Sequence, residues 1–90
     1  MTKIVKGGIV SRVGEPDKSA VPVETITFPD VGPNVTVPPG SHGTLIVSRV
    51  PQTPYTKADT LFYRDSNHHN DTNMTIDSVS GPTKFKITTR

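Results

Sequence analysis

Proline and glycine interrupt this chain so often that no long helix fits between them. Nine prolines and seven glycines are spread over 90 residues, and no window repeats apolar residues with the helical period over three turns. Valine, isoleucine and threonine dominate the segments in between. Side chains branched at Cβ favour a pleated strand over a helix. The sequence therefore predicts an all-β protein with almost no helix.

The stretch from Val35 to Val50 carries the strongest strand signal. A β-branched run leads into Pro38 and Pro39, which cannot donate hydrogen bonds to a sheet and must end the first strand. The longest apolar run, Leu45–Val47, follows a glycine-containing reversal. We predict a β-hairpin with a loop of about five residues. The sequence of this stretch resembles hairpins of many immunoglobulin-like and jelly-roll modules, and it identifies no family.

Short alternating segments recur along the rest of the chain, about every 10–13 residues, which is the spacing of a small sandwich or barrel. The predicted strands are residues 9–13, 21–28, 35–37, 45–50, 60–64, 73–79 and 83–89. We predict a small antiparallel β-sandwich, immunoglobulin-like or jelly-roll-like, of about seven short strands. Residues 1–6 are predicted to be an N-terminal arm, and residues 7–90 a single domain. The predicted core consists of Phe28, Leu45, Val47, Leu61, Ile76, Phe85 and Ile87.

One pentapeptide occurs twice. Ile9–Val13 and Ile46–Val50 have the same sequence, whereas their flanks share little. The repeat is either a chance identity or the mark of two strands in equivalent settings, each presenting an arginine from one face.

The predicted core is lean for a domain that stands alone. Only 31% of the residues are apolar, and a chain of this length buries only roughly 60–65% of its unfolded surface. There is no cysteine to form a disulfide or a cysteine-based zinc site. The domain is therefore either modestly stable with a thin core or gains burial from a partner, and we expect the second.

The only cluster of possible metal ligands lies in Asp65–Asp71. It fails as an EF-hand loop because Asn70 replaces the turn glycine and Ile76 replaces the bidentate glutamate. His68 and His69 are neighbours, so on an extended chain their side chains point in opposite directions. No nucleophile-and-base set or phosphate-binding loop is present. The sequence thus predicts no metal, no cofactor and no enzymatic activity.

Charge and hydropathy exclude two classes of partner. The net charge is only +2 and both signs are interspersed, with Lys84 and Lys86 as the densest basic pair; nucleic-acid binding needs a concentrated basic patch. No apolar run is long enough to span a bilayer, and the first residues lack the apolar region of a signal peptide. We expect synthesis in the cytoplasm without a signal peptide, and neither a nucleic acid nor a membrane as partner.

Four residues are candidate partner contacts. Ile4 and Val5 are apolar, β-prone residues within a basic arm that can add to the sheet of another chain. Tyr55 lies between prolines in a predicted loop, and Tyr63 points away from its neighbour Phe62 along a strand. Aromatic residues are enriched at interface hot spots.

These observations predict a non-enzymatic structural or assembly protein. We expect a small virion component of a bacteriophage, such as a capsid decoration or cement protein or another head or tail protein. Its partners would be other copies of itself, as a homo-oligomer, and a larger lattice of capsid or tail protein. The alternative is a β-sandwich module that binds a carbohydrate or a receptor through Tyr55 and the Asp65–Asp71 loop.

Overall fold

The protein is all-β. A computed structural model describes residues 2–14, 20–65 and 72–90, and this part of the chain contains no helix, so none that could cross a membrane. The strands are β1 (Lys3–Lys6), β2 (Ile9–Arg12), β3 (Val21–Phe28), β4 (His42–Val47), β5 (Thr60–Arg64), β6 (Thr72–Val79) and β7 (Lys84–Thr89). The predicted fold class and the predicted number of strands are confirmed.

The sheet closes on itself. Its strand order is β1-β3-β2-β5-β6-β7-β4, and β4 also pairs with β3. All pairs are antiparallel. Six strands, β2 to β7, therefore form a closed barrel, and β1 lies outside this ring. The prediction of a sandwich is corrected to a single closed sheet, because strand length and spacing are the same in both architectures and only the β3–β4 pairing distinguishes them.

Two irregularities bend the sheet. The register shifts in β3 between Val23 and Thr25, and in β6 between Ile76 and Ser78. The extra residue in β3 lets Val23 and Ile26 both face the interior, although strict alternation would place them on opposite sides. Bulges of this kind increase the local bend and twist that barrel closure requires.

The interior of the barrel is filled by apolar side chains from all six strands of the ring and from two loops. The buried apolar residues of the described chain are Val10, Val21, Val23, Ile26, Phe28, Val31, Leu45, Val47, Tyr55, Leu61, Tyr63, Met74, Ile76, Phe85 and Ile87. All seven predicted core residues are among them. From β1, only Val5 packs against this core, and it is partly buried.

The predicted hairpin between residues 35–37 and β4 is wrong. Both edges of β4 are occupied by β3 and β7, and residues 35–37 are not a strand. Pro38 instead begins a turn that is closed by a hydrogen bond from the Ser41 N–H to its carbonyl at 3.3 Å. The Thr89 hydroxyl donates to the same carbonyl at 2.9 Å. Pro38 and Pro39 thus lie in a turn at one end of the barrel.

The predicted arm is a strand of the sheet. Lys3–Lys6 pair with the second half of β3, and β2 pairs with the first residues of β3. Gly7 and Gly8 separate the two strands. Their φ angles are +80° and +81°, which residues other than glycine rarely adopt. Two glycines therefore turn one potential long strand into a pair with different neighbours.

The repeated pentapeptide has an equivalent setting in its two copies. Each copy buries its second residue beside the beginning of β3, on opposite edges, in the pairs Val10–Val21 and Val47–Val23. The arginines differ, because Arg12 is partly buried whereas Arg49 is exposed. The repeat therefore reflects a shared place in the sheet and not a shared role for the arginines.

Candidate functional site

The barrel has two ends that are covered differently. The sealed end is where β2, β4 and β6 finish, and it is covered by the loop that contains Tyr55. The open end is where β3, β5 and β7 finish, and it holds a cavity of about 520 Å³. β1 borders the cavity through Lys3 and Val5. Sites for partners are therefore expected at the open end.

Tyr55 closes the sealed end. Its side chain is only 3% exposed, and its ring centroid lies 5.4 Å from that of Phe85. Its hydroxyl donates to the Val10 carbonyl at 3.4 Å. The prediction that Tyr55 is a partner contact is corrected, because the proline-rich loop turns the ring into the barrel. A large aromatic ring gains more from this burial than from exposure to water.

An ion pair holds Tyr55 and its loop in place; we call the Tyr55 side chain the plug of the sealed end. Arg12 Nη2 lies 2.9 Å from Asp59 Oδ2 and also donates to the Pro54 carbonyl at 2.9 Å. The guanidinium carbon lies 5.2 Å from the centroid of the Tyr55 ring, a cation–π contact. Arginine therefore bridges β2, the loop and the start of β5 through one planar group.

The carboxylate of this pair is held in its charged form. The Thr56 N–H donates to Asp59 Oδ2 at 2.8 Å. Burial is the largest single influence and raises the pKa of Asp59, but the hydrogen bonds from Thr56 and Arg12 and the charge of Arg12 together outweigh it and lower the pKa below the ordinary 3.8. These hydrogen bonds tie the loop to β2 and to the residue before β5, so we assign the group a structural role.

The cavity of the open end has an apolar floor and a charged rim. Ile26, Phe28 and Met74 line its floor. Among the described residues of its lining, the charged ones are Lys3, Asp65 and Arg90. Apolar and polar side chains share this concave surface, which makes it a candidate binding site.

Tyr63 also lies on the floor of this cavity. It is 4% exposed, and its hydroxyl donates to the Gly7 carbonyl at 3.2 Å. Burial, and then the charge of Asp65, raise the pKa of its phenol. The prediction of Tyr63 as a surface contact is corrected, because alternation along β5 turns it inward with Leu61. Its side chain borders the cavity and secures the junction between β1 and β2.

Ile4 and Val5 face different surroundings. Ile4 is 55% exposed on the outer side of β1, while Val5 lines the cavity and packs against the core. Lys3 Nζ donates to the Val35 carbonyl, so the loop that crosses the open end is tied to β1. Contact of Ile4 and Val5 with a partner stays a prediction.

The remaining polar cluster is exposed. The Thr88 hydroxyl lies 3.0 Å from His42 Nδ1 and donates to Asp77, whose Oδ2 lies 3.7 Å from the same imidazole nitrogen. Within residues 2–14, 20–65 and 72–90, no group of three or more His, Asp or Glu residues is placed to hold a metal ion. The discounted metal site at His68 and His69 lies outside the described residues.

Sequence reasoning did not find the cavity, because its walls come from β1, the loop at residues 36–39 and the ends of β5 and β6, which are far apart in the chain. The one local signal was the Gly7-Gly8 pair beside an apolar dipeptide between two lysines. Comparison of the chain with protein-family models, curated proteins and solved structures finds no match. The open end is therefore interpreted from its own residues.

Proposed function

We propose that the protein is a non-enzymatic assembly protein that docks on a larger protein array, with β1 as its docking strand. The observation that carries this proposal is the free edge of β1. In the described part of the chain, β1 pairs with β3 alone, whereas each of the other strands has at least two neighbours. An unpaired edge presents backbone N–H and C=O groups to which an extended segment of another chain can add.

Two further features support this role. The buried core begins at Val10, so the barrel has its own interior and β1 is an addition to it. Ile4 exposes 55% of its surface on the same strand. An exposed apolar side chain beside a free sheet edge gives a partner both backbone and side-chain contacts.

We extend the proposal to the array itself. A repetitive lattice such as the capsid or tail of a bacteriophage would hold many copies of the chain side by side, and a weak contact at each copy would be strengthened by multivalency. In this role the chain is made in the cytoplasm and ends in the virion, as a decoration, cement or other head or tail component. The composition and the scattered charges support a protein partner over a nucleic acid or a membrane.

The alternative of a carbohydrate- or receptor-binding module is weakened, because the aromatic residue predicted to contact the ligand is not exposed. Such a module presents an aromatic side chain to its ligand, and Tyr55, the predicted platform, is buried in the sealed end. The Asp65–Asp71 loop lies partly outside the described residues. No observation favours this alternative over assembly.

The proposal is tested by co-sedimentation with the largest particles purified from the source of the chain. Deleting residues 1–6 should abolish sedimentation with the particles but leave a cooperatively folded barrel, because the buried core lies outside the deletion. Ile4→Ser should weaken docking, whereas Val13→Ser, which changes a residue of similar exposure, 54% against 55%, at the sealed end, should not. Equal sedimentation of the truncated chain would contradict the proposal.

A further inference from the structure

The sequence of β1 indicates what can pair with its free edge. We propose that this edge takes an extended segment of another protein in which two apolar residues are flanked on each side by an acidic residue. The inference rests on the proposed docking through β1 and names the chemistry of the partner. It is carried by the side-chain directions of β1, by the charges at its two ends and by the cavity beside it.

The side chains of β1 alternate between two environments. Lys3 and Val5 line the cavity, and Ile4 and Lys6 are exposed on the outer side of the sheet. A strand added beyond β1 continues this alternation. The partner residue opposite Val5 therefore points toward the cavity, and the partner residue opposite Ile4 extends the exposed apolar surface outward.

The two lysines exclude a second copy of β1. Lys3–Lys6 reads Lys-Ile-Val-Lys, so symmetric antiparallel pairing with a second copy would place Lys3 opposite the partner copy's Lys6, twice. A parallel in-register pair would place each lysine opposite itself. Like charges directly opposite each other destabilise a strand pair, and lysines at an edge are a known guard against self-pairing. The occupant of this edge is therefore a different sequence.

The same lysines favour carboxylates. A glutamate or aspartate opposite Lys3 and another opposite Lys6 turn both repulsions into attractions. The tetrapeptide has a charge at each end and apolar residues between, so the complementary order, acidic-apolar-apolar-acidic, is the same for both strand directions. Every described pair in this barrel is antiparallel, so we assign that direction.

The cavity accepts one apolar side chain of this segment. Its volume of about 520 Å³ exceeds what a single valine or isoleucine side chain fills, and Phe28 and Met74 line its floor. Among the described residues of the lining, Lys3 and Arg90 are cations and Asp65 is an anion, and a carboxylate opposite Lys3 would add an attraction to this border. Shape and charge therefore select the same kind of segment.

The test uses two synthetic peptides, Thr-Glu-Val-Ile-Glu-Thr and the matched Thr-Lys-Val-Ile-Lys-Thr, titrated into the isotope-labelled full chain at low salt and followed by NMR. The glutamate peptide should bind about tenfold more tightly than the lysine peptide, with the largest shifts at the amides of Ile4 and Val5. Salt should reduce the difference, because exposed charge pairs are screened.

Charge reversal supplies the decisive comparison. The double variant Lys3→Glu with Lys6→Glu should invert the preference in favour of the lysine peptide. The control, Lys84→Glu with Lys86→Glu, makes the same change in net charge on exposed residues of β7, a strand with neighbours on both edges; it should keep the wild-type order. Equal affinities for the two peptides, no shift at Ile4 and Val5, or inversion by the control variant would each overturn the proposal.

Failure of this inference is separable from failure of the proposed function. If the chain docks on its particles in a manner that requires residues 1–6, yet the peptides bind without charge preference, the assembly role stands and the charge rule falls. If the peptide preference holds and truncation leaves docking intact, the edge binds such segments but is not the contact with the array.

Discussion

Both ends of the barrel are crossed by a proline-containing loop, and only one of the loops fills the space beneath it. At the sealed end the loop inserts the large ring of Tyr55 and is fixed by the Arg12–Asp59 ion pair. At the open end the loop contributes the smaller side chains of Val31, which is buried, and Val37, which is only partly buried, and a cavity remains. The contrast teaches that one aromatic residue with a charged anchor decides whether a loop becomes part of the core or the wall of a site.

The same contrast extends to the strands. Around the sealed end each described strand has neighbours on both edges. At the open end, β1 has a strand neighbour on only one edge among the residues that the structure describes, and it lies beside the cavity. Local stability within a fold is lowest where buried contacts and hydrogen bonds are fewest, so binding at the open end disturbs the barrel least.

The largest loss of stability is expected when the Tyr55 side chain is removed from the sealed end. Tyr55→Ala should lower the free energy of unfolding by about 3–5 kcal/mol, as for other buried aromatic residues, because it leaves a cavity against Phe85. Val37→Ala at the open end should cost about 1 kcal/mol or less, since it removes only partly buried methyl groups. Urea denaturation followed by circular dichroism measures both. Similar losses for the two variants would show that the ends are not different in packing.

The next effect concerns the junction of β1 and β2. Gly8→Ala should cost more than about 2 kcal/mol, because a positive φ alone costs about 1–2 kcal/mol for an L-residue and the new Cβ would lie 2.5 Å from the Arg64 carbonyl oxygen. Gly7→Ala has a similar φ, and no atom lies within 4 Å of its Cβ, so it should show only the backbone strain. Thermal unfolding of the pair separates close packing from strain; equal costs would contradict the close approach of Gly8 to β5.

How much of this fold is visible in the sequence depends on the range of the interaction. The strands Val21–Phe28 and Thr60–Arg64 were predicted with their observed bounds, because alternation and flanking turn residues are local signals. The hairpin at residues 35–37 was wrong for a non-local reason. β4 finds better partners in β3 and β7, and no local pattern reports that competition.

The candidate site was the harder part. Tyr55 has the sequence context of an exposed loop residue, and the residues that its ring meets, Phe85 and Arg12, lie far from it in the chain. The bulge in β3 shifts the alternation after Val23, so the face of Ile26 could not be read from the preceding residues. Ile4 and Val5 could be singled out because an apolar pair between lysines beside two glycines is a local pattern, and their contact with a partner stays a prediction.

A smaller effect on stability is expected from the ion pair between Arg12 and Asp59. The folded-state pKa of Asp59 is lowered, so its contribution to stability is present above the unfolded value of about 3.9 and is lost as the pH falls through the lowered pKa. Asp59→Asn should cost about 1–2 kcal/mol at neutral pH, since the side chain is partly exposed. It should also flatten the decline of stability below about pH 4. Both chains are measured by urea unfolding between acidic and neutral pH, and a decline in Asp59→Asn as steep as in the wild type would contradict this role of the ion pair.

The smallest effect belongs to the open end and has the opposite pH sense. Burial and the nearby Asp65 raise the pKa of Tyr63, so the folded state favours the neutral phenol; this stability is present below the unfolded value of about 10 and is lost as the pH rises through the raised pKa. A phenolate has no proton to donate to the Gly7 carbonyl, so ionisation also releases the junction that holds β1 against the barrel. Tyr63→Phe should cost about 1 kcal/mol at neutral pH for the lost hydrogen bond and should show a shallower loss of stability above about pH 10 than the wild type. The difference between the two chains isolates Tyr63 from the groups that both chains share. Parallel profiles for wild type and variant would mean that the phenol is not protected by the fold, and that the floor of the open end is more accessible to water than its burial indicates.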